Sequence, residues 1–273
     1  MIDLVMWTLN GAETLEPVLN QINRVIPESE VNQRLIVDDG SKDETVKIAK
    51  ICGWTVLKNE GKGISDGANT ALKHVETERF ASFEQDLFLA PNWWINAKKM
   101  SKNDTVFSGL RFSSYPTGVA KLQRFVAKKY LNQKQTFWLR GRESSAFLLG
   151  KTLDNTVYKT NVIREIGGFP FSQTGSGVDS LLAEKLRLHK KHWFVDYNVN
   201  SVHLRKSLNQ ELNHQFWYGL GHKKAGYSQT SKELLKFSIS PFTGIILAGL
   251  LRCAEISVLY PKIRLSYLRG YLS

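Results

Sequence analysis

The chain has 273 residues, of which 42% are hydrophobic, and its 37 lysines and arginines outnumber its 25 aspartates and glutamates to give a formal net charge of +12. This balance excludes a largely disordered chain. The two cysteines, Cys52 and Cys253, exclude a disulfide-built scaffold and most cysteine-ligated metal sites, and they favour a reducing, cytoplasmic compartment. We expect no signal peptide, because no basic segment precedes the first apolar run. We also expect no simple transmembrane topology, because the longest apolar stretch near the C-terminus, residues 242–251, is about half of the roughly 20 residues that a spanning helix needs.

Short apolar runs alternate with helical patterns over the first hundred residues. The predicted strands are residues 2–8, 34–37, 54–57 and 79–83, and the predicted helices are residues 13–26, 43–51 and 63–75. This order predicts an α/β fold with a mostly parallel sheet and helices on both faces. Ligands bind at the carboxyl ends of the strands in open sheets of this kind, so polar residues there are candidate site residues.

The pattern is less regular beyond residue 100. The predicted elements are strands over residues 105–112, 145–149 and 192–197 and helices over residues 178–189 and 208–225. Residues 119–131 predict a basic amphipathic helix, which either lies on a membrane or packs on the domain with a solvated basic face. We predict one catalytic domain over residues 1–229 and an amphipathic helical extension over residues 230–273, broken into short helices at Pro241 and Pro261.

The positive charge is concentrated in two segments. Residues 105–142 contain eight basic and no acidic residues, residues 200–273 contain ten basic and three acidic residues, and the remainder has a net charge of −3. In the second segment basic residues alternate with leucine, isoleucine and aromatic residues, as in helices that lie in a membrane interface. We predict peripheral attachment to the anionic inner face of the cell membrane, and a soluble core after deletion from about residue 230. A helical cap on the core or a dimer contact is the alternative.

Three acidic clusters are candidate sites. Asp38 and Asp39 end the second strand, where they can bind a nucleobase or ribose or form an Asx-turn. Glu84 and Asp86 follow the fourth strand and can reach one hard cation such as Mg²⁺ or Mn²⁺, or be solvated turn residues. Asp179 opens a helix after a glycine-rich loop, either as a general base or as an ordinary N-cap.

These clusters, in this order, resemble the family 2 nucleotide-sugar glycosyltransferases, which have a GT-A fold and transfer sugars with inversion. The matching pieces are residues 6–13, 36–45, 59–69, 84–86, 157–159 with 166–169, and 177–179. The resemblance covers about residues 1–225. The chain departs from the family pattern at Glu84, where the family has Asp, and at Val178, where it has an acidic residue.

The resemblance implies a metal-dependent, inverting hexosyltransferase of glycan biosynthesis. Its donor is a nucleoside-diphosphate sugar, and its acceptor is a lipid-linked or surface glycan at the membrane. Asp179 is the implied catalytic base, and Asp86 and His203 are the implied ligands of Mn²⁺ or Mg²⁺. The implied donor-binding residues are Thr8, Asn10, Glu13, Asp38, Asp39, Lys62, Asn69 and Glu84.

Three other functions are compatible with parts of the sequence. A nucleic-acid-binding protein fits the charge, but the chain has no helix-turn-helix signature, zinc spacing or RNA-recognition motif. A sugar-nucleotide pyrophosphorylase fits the α/β core, but the chain lacks a Gly-rich N-terminal loop with Arg and Lys. A catalytically degenerate nucleotide-sugar-binding paralogue fits the departures at Glu84 and Val178.

Overall fold

A computed structural model describes the chain as two compact units. The described residues are 1–100, 105–130, 136–137, 151–172, 175–224, 226 and 228–273. The first, the sheet unit, consists of Met1–Arg111, Tyr130–Phe171 and Val178–His203. The second, the helical unit, consists of Phe112–Lys129, Ser172–Gly177 and Leu204–Ser273. Residue 229, the predicted domain boundary, lies inside the helical unit.

The first half of the sheet unit is a parallel sheet with the strand order β3-β2-β1-β4. Its strands are β1 (Ile2–Thr8), β2 (Val31–Asp38), β3 (Thr55–Lys58) and β4 (Arg79–Phe83), and its helices are α1 (Ala12–Val25), α2 (Thr45–Ile51) and α3 (Gly63–His74). A short 3-10 helix, Glu28–Glu30, precedes β2. Every residue of β1 is buried, as expected for a central strand of a parallel sheet. The strands and helices predicted here are confirmed.

The second half of the sheet is antiparallel where it joins β4. The remaining strands are β5 (Leu87–Phe88), β6 (Thr105–Ser113), β7 (Thr136–Phe137), β8 (Thr156–Lys159) and β9 (His192–His203). The order continues from β4 through β8, β6 and β9 to β5, and β7 pairs with β9. The helices are α4 (Trp93–Met100), α6 (Thr160–Glu165) and α7 (Val178–Leu188). The α/β class and mixed sheet are confirmed, and β9 is longer than predicted. The strand predicted over residues 145–149 lies outside the described residues.

Aromatic packing in the sheet unit joins β4 to β8. Phe80 and Tyr158 stack with ring centroids 4.9 Å apart, and Phe169 meets Tyr158 edge-on at 5.4 Å. The buried Tyr158 hydroxyl donates to the backbone oxygen of Leu153 at 2.9 Å. Offset and edge-to-face pairs of this kind each add about 0.5–1.5 kcal/mol beyond their burial. They hold in place the strand that leads to Glu84.

The helical unit contains the helices α5 (Thr117–Tyr130), α8 (Leu208–Lys224), α9 (Thr230–Ser238), α10 (Ser240–Leu250) and α11 (Glu255–Leu272). Glycines bring the backbones of α8 and α11 together. A Cβ atom at Gly219 would lie 2.0 Å from the Tyr267 oxygen, and one at Gly270 would lie 1.8 Å from the Phe216 oxygen. No side chain fits at either position, so the two helices depend on glycine for this contact.

One predicted helix break is wrong. Pro241 lies in the first turn of α10 as expected, but Pro261 lies inside α11. The chain turns instead at Arg252, whose φ is 48°. There Cys253 N donates to Ala248 O at 2.9 Å and Arg252 N to Gly249 O at 3.2 Å, which is a Schellman motif. Packing of α10 on α11 next to Pro261 outweighs the tendency of proline to interrupt a helix.

The basic amphipathic helix α5 buries its apolar face within the helical unit. Val119 and Leu122 are buried, and Gly118 N donates to Glu255 Oε2 of α11 at 2.9 Å. Of the two interpretations of this helix, the packed one describes the structure. Val126 of α5 remains exposed, and α9, α10 and α11 also carry exposed apolar side chains.

Within the described residues, no single helix combines the length and the hydropathy that crossing a membrane requires. The pair α9 and α10 meets that requirement together, but its two helices are bent by 57°.

Candidate active site

Asp38 is the last residue of β2, and only one of its two carboxylate oxygens accepts hydrogen bonds within the described structure. Its Oδ2 accepts hydrogen bonds from Gly40 N at 3.1 Å and Ser41 N at 3.0 Å, which is the Asx-turn geometry considered from the sequence. Its Oδ1 is buried and has no hydrogen-bond partner among the residues that the structure describes. A buried carboxylate oxygen without a partner is costly, so this atom suits a donor group of a ligand.

Asp39 fixes the loop before α3 with both of its carboxylate oxygens. Oδ1 accepts from Asn59 Nδ2 at 2.8 Å, and Oδ2 accepts from Gly63 N at 3.0 Å. Gly63 has a φ of 73°, which favours glycine at this turn. The loop presents Lys62 at the N-terminus of α3, where its side chain is exposed.

Asn10 joins the ends of β1 and β2. It has a φ of 48°, its backbone N–H donates to Ser41 Oγ at 2.8 Å, and its Oδ1 accepts from Lys42 N at 2.9 Å. The predicted donor residue Asn10 therefore shapes the two turns around Asp38. Glu13, also predicted to bind the donor, is exposed in the first turn of α1.

Gln85, between Glu84 and Asp86, is held by the end of β1. Its Oε1 accepts a hydrogen bond from the Thr8 hydroxyl and another from Leu9 N at 3.2 Å, and its Nε2 donates to Leu9 O at 3.3 Å. Sequence reasoning did not identify Gln85, because a residue that alternates with two candidate ligands has no motif of its own. Its bonds fix the backbone from which both neighbouring carboxylates project.

Glu84, Asp86 and His203 form the candidate metal centre. His203 Nε2 lies 2.9 Å from Asp86 Oδ1 and 3.4 Å from Glu84 Oε2, and the three ligand atoms all lie within 4.8 Å of one another. His203 is the last residue of β9, and the β5–β9 register pairs it with Leu87. Two carboxylate oxygens and one imidazole nitrogen fit a divalent cation such as Mn²⁺. The structure thus brings Asp86 and His203, the ligands implied by the resemblance, together with Glu84, whose spacing from Asp86 also predicted a shared cation.

Arg111 on β6 connects this centre to a buried carboxylate. Its Nη1 lies 3.0 Å from Glu84 Oε2 and 2.8 Å from Asp154 Oδ1, and the Asp154 side chain is fully buried. Sequence analysis missed both residues. Arg111 is one of eight basic residues in residues 105–142, where the sequence indicated only a net positive charge. Asp154 belongs to none of the sequence motifs.

Asp179 is the second residue of α7, and its Oδ1 accepts a hydrogen bond from Ser180 N at 2.7 Å. Burial raises the pKa of the Asp179 carboxyl, the Arg111 guanidinium lowers it in part, and Asp154 raises it further. A carboxylate with a raised pKa is a better proton acceptor near neutral pH. Arg111 therefore acts on both the candidate base and the candidate metal centre.

Asn69 is engaged by the turn that precedes the base. Its Nδ2 donates to Phe169 O at 2.9 Å, and its Oδ1 accepts from Phe169 N at 2.9 Å. Gly168, with a φ of 73°, passes so close that a Cβ atom would lie 2.5 Å from Asn69 Oδ1. Asn69 thus stabilises the Gly-Gly-Phe turn, and its predicted contact with the donor stays a prediction.

Comparison with known proteins identifies the family. The model of glycosyl transferase family 2 matches residues 3–162, more than half of the chain. No sequence among curated proteins matches the chain.

Several solved structures share the fold. PcManGT, a mannosyltransferase from Pyrobaculum calidifontis in complex with GDP-Man and Mn²⁺, has 15% identity and a TM-score of 0.66, and the alignment covers 99% of this chain and 86% of that one. Residues 1–349 of S. aureus TarS in complex with UDP-GlcNAc have 16% identity and a TM-score of 0.62, with 99% and 89% covered. Glucosyl-3-phosphoglycerate synthase from Mycobacterium tuberculosis, in complex with Mn²⁺, UDP and glucosyl-3-phosphoglycerate, has 16% identity and a TM-score of 0.53, with 77% and 74% covered.

The chain is shorter than some of these proteins. It spans 39% of a longer S. aureus TarS structure, at 18% identity and a TM-score of 0.58. These likenesses establish the GT-A fold, and the family match covers β2, which ends at Asp38, and β4, which ends just before Glu84 and Asp86. By its sequence and its fold, the chain belongs to glycosyl transferase family 2.

Proposed function

We propose that the protein is a metal-dependent, inverting glycosyltransferase that moves a sugar from a nucleoside-diphosphate sugar to an acceptor hydroxyl. The observation that carries this proposal is the joining of the Glu84, Asp86 and His203 cluster to the environment of Asp179 through Arg111. A metal centre for the leaving diphosphate and a separate proton acceptor are the two parts that such a transfer needs.

The donor nucleotide binds along the ends of β1 and β2. The unpartnered Oδ1 of Asp38 accepts a hydrogen bond from the base or the ribose. Lys62, exposed at the start of α3, meets the diphosphate as a point charge. Glu84, Asp86 and His203 hold Mn²⁺ or Mg²⁺, which stabilises the negative charge of the leaving diphosphate when it is bound.

Asp179 supplies the proton transfer. Its carboxylate takes the proton of the acceptor hydroxyl while that oxygen forms a bond to the anomeric carbon. The bond from the anomeric carbon to the diphosphate oxygen breaks on the opposite face, so the configuration is inverted. The products are the glycoside and the nucleoside diphosphate. One carboxylate base suffices, and no covalent sugar intermediate is needed.

Similar proteins support a nucleotide sugar as donor. The TarS structure contains UDP-GlcNAc, and the PcManGT structure contains GDP-Man and Mn²⁺. Because these proteins use different bases and sugars, they support the class of donor for this chain and leave its base and sugar to experiment.

We propose further that the helical unit places the enzyme on the inner face of the cell membrane, where a lipid-linked or surface glycan accepts the sugar. Phe242, Ile245 and Ile246 of α10 are 64–73% exposed. Residues 204–273 carry ten basic and three acidic residues, and two of the acidic residues, Glu211 and Glu233, are buried. Exposed apolar side chains beside a basic surface are typical of peripheral helices on anionic lipid.

The proposal is tested by binding of UDP-GlcNAc and GDP-Man with and without Mn²⁺, measured as a shift in the thermal midpoint. A ligand at 100 times its Kd stabilises the fold by about 2.7 kcal/mol. We expect a Mn²⁺-dependent shift with at least one donor, and we expect Asp86→Ala to abolish it. Glu165→Ala, at an exposed residue paired with Lys191, is the matched control and should keep the shift. Equal shifts in wild type and Asp86→Ala would contradict the proposal.

A further inference from the structure

Asp86 and His203, two of the candidate metal ligands, lie at the ends of a very short strand pairing. Asp86 precedes the two-residue strand β5, and His203 is the last residue of β9. The register pairs Leu87 with His203 and Phe88 with Val202. A pair of strands without further contacts is only marginally stable. Other contacts must therefore keep Asp86 Oδ1 and His203 Nε2 at their separation of 2.9 Å.

The Ser201 hydroxyl extends the attachment of β9 beyond β5. Its Oγ accepts a hydrogen bond from Ala90 N at 3.2 Å and donates one to Asn155 Oδ1 at 3.2 Å. Ser201 is fully buried. Side chains two positions apart project from the same face of a strand, so this hydroxyl and the His203 imidazole share one face of β9. Any displacement of the strand at Ser201 therefore moves the imidazole.

Asn155, the residue before β8, is fixed to β6 through its backbone and its side chain. Gly109 N donates to Asn155 O at 3.0 Å, and Asn155 Nδ2 donates to Leu110 O at 3.2 Å. A Cβ atom at Gly109 would lie 2.7 Å from Asn155 Nδ2, so the amide fills the space that a larger residue would take. Asn155 is fully buried and has a φ of 57°, a left-handed conformation that asparagine tolerates better than most residues. Its amide therefore joins β6 to β9.

The chain neighbours of these contacts support the third ligand. Asp154 precedes Asn155, and Arg111 follows Leu110 on β6. Arg111 Nη1 lies 2.8 Å from Asp154 Oδ1 and 3.0 Å from Glu84 Oε2. The segment around Asn155 thus reaches Glu84 on one side and the end of β9 on the other.

We propose that Asn155 is a positioning residue of the metal centre, which holds His203 against Asp86 through the hydroxyl of Ser201. The inference rests on the proposed binding of Mn²⁺ or Mg²⁺ by Glu84, Asp86 and His203. Every residue in this set of contacts belongs to the sheet unit. Residues that orient metal ligands typically contribute about 10–100-fold to metal affinity.

The test uses Ser201→Ala in the full chain, with Mn²⁺ alone as the probe. We expect the Kd for Mn²⁺, measured from the EPR signal of the free ion, to rise by about 10-fold, because the imidazole loses its fixed position. Pulsed EPR detects the nitrogen of an imidazole bound to Mn²⁺, and this coupling should weaken or disappear in the variant. His203→Gln, which removes the ring, identifies the coupling in wild type.

Thr160→Val is the matched control for a loss of stability. It removes a buried hydroxyl that donates to Thr77 O at 2.7 Å, before the start of β4, whereas Glu84 follows the end of that strand. Thr160→Val and Ser201→Ala should both lower the thermal midpoint of the metal-free protein. Only Ser201→Ala should change the affinity for Mn²⁺ and the imidazole coupling, so equal effects of the two variants on Mn²⁺ would overturn the inference.

Asn155→Gly separates the amide from the backbone that carries it. Glycine adopts a positive φ readily, so this variant keeps the turn and loses the side-chain bonds. It should weaken Mn²⁺ binding as Ser201→Ala does. The double variant should bind Mn²⁺ little worse than either single variant, because residues that act through one contact are not additive. Fully additive losses would show that Ser201 does not act through Asn155.

Amide hydrogen exchange at residues 87–90 and 201–203 reports on the same contact without metal. Ser201→Ala should speed exchange in both segments. Wild-type Mn²⁺ affinity and imidazole coupling in Ser201→Ala would overturn the inference. If wild type itself shows no imidazole coupling, the proposed metal centre fails; faster exchange in the variant would then still support the link from Asn155 through Ser201 to the end of β9, and unchanged exchange would remove that link as well.

Discussion

The two carboxylates that pair with Arg111 differ in burial. Asp154 is fully buried, whereas the Glu84 side chain is 28% exposed and can be solvated without the guanidinium. An ion pair inside a protein adds little net stability, but a buried charge left without its partner is strongly destabilising. Arg111 therefore bears on the stability of the sheet unit as well as on the site.

Substitution Arg111→Gln should lower the free energy of unfolding by about 3–5 kcal/mol, because Asp154 is left buried without a counter-charge. Urea unfolding measures the loss. Arg111→Gln combined with Asp154→Asn is the control, since it removes both charges, and it should recover part of the stability. A single variant as stable as wild type would show that Asp154 does not depend on this pair.

Substitution Asp179→Asn keeps the size of the side chain but cannot accept a proton. We expect transfer to slow by about 10²–10⁴-fold, the usual contribution of a general base, with donor affinity unchanged. Near-native turnover in this variant would assign the proton transfer to another group.

The pH dependence of Asp179 follows from the direction of its pKa shift. Burial raises the pKa of this carboxyl, so kcat should fall on acidification at a pH above the ordinary Asp value of about 3.9. Because the folded state binds this proton more tightly than the unfolded state, the carboxyl costs stability above the unfolded-state pKa, and that cost disappears as pH falls through the raised pKa. Asp179→Asn should therefore unfold at higher urea concentration than wild type at pH 7.

The residues that the sequence could identify lie at strand ends. Asp38, Asp39 and Asp86 follow buried apolar runs, and polar residues there point to a ligand site. Arg111, Asp154 and Gln85 escaped detection because their partners are far away in the chain. Thr8 and Gln85, for example, are 77 residues apart.

Whole helices and strands likewise divide into those that the sequence predicts and those that depend on distant contacts. Alternation of strands and helices predicted β1 to β4 and α1 to α3, because each element has its own periodicity. The two-residue strands β5 and β7 are too short to have one. Helix α11 continues through Pro261 because α10 packs beside it. The local tendency of proline to end a helix therefore predicts the wrong boundary.

The exposed residues of α10 test the membrane proposal. Phe242→Ser with Ile246→Ser removes two exposed apolar side chains, so less of the variant than of the wild-type protein should float with phosphatidylcholine–phosphatidylglycerol vesicles. High salt should weaken wild-type binding only in part, because salt screens the basic residues, each worth about 1 kcal/mol near an anionic surface, but leaves apolar burial intact. Thr243→Ala, between the two sites, is the control and should float like wild type. Equal flotation of both variants would remove α10 from the contact.

At the scale of the whole molecule, the C-terminal segment packs on other helices of its unit, whereas the sequence predicted a separable membrane-binding extension. Helix α11 packs on α8 through Gly219 and Gly270, and Glu255 bonds to Gly118 of α5. Deletion of residues 230–273 uncovers these surfaces. We expect the truncated chain to unfold at lower temperature than the full chain and to aggregate, as measured by calorimetry and light scattering. A truncated chain with wild-type thermal stability would support the sequence-based expectation of a separable extension.

The division of the helical unit among three stretches of chain has a consequence for synthesis. Gly118 of α5 binds Glu255, which is translated 137 residues later. At about 5–20 residues per second, roughly 7–27 s pass between the two. Until then the N–H of Gly118 lacks its Glu255 acceptor, and the α11 side chains that lie next to Gly118 have not been made, so the nascent chain presents a basic amphipathic helix without this neighbour. Ribosome-associated chaperones therefore have a defined interval in which to bind α5.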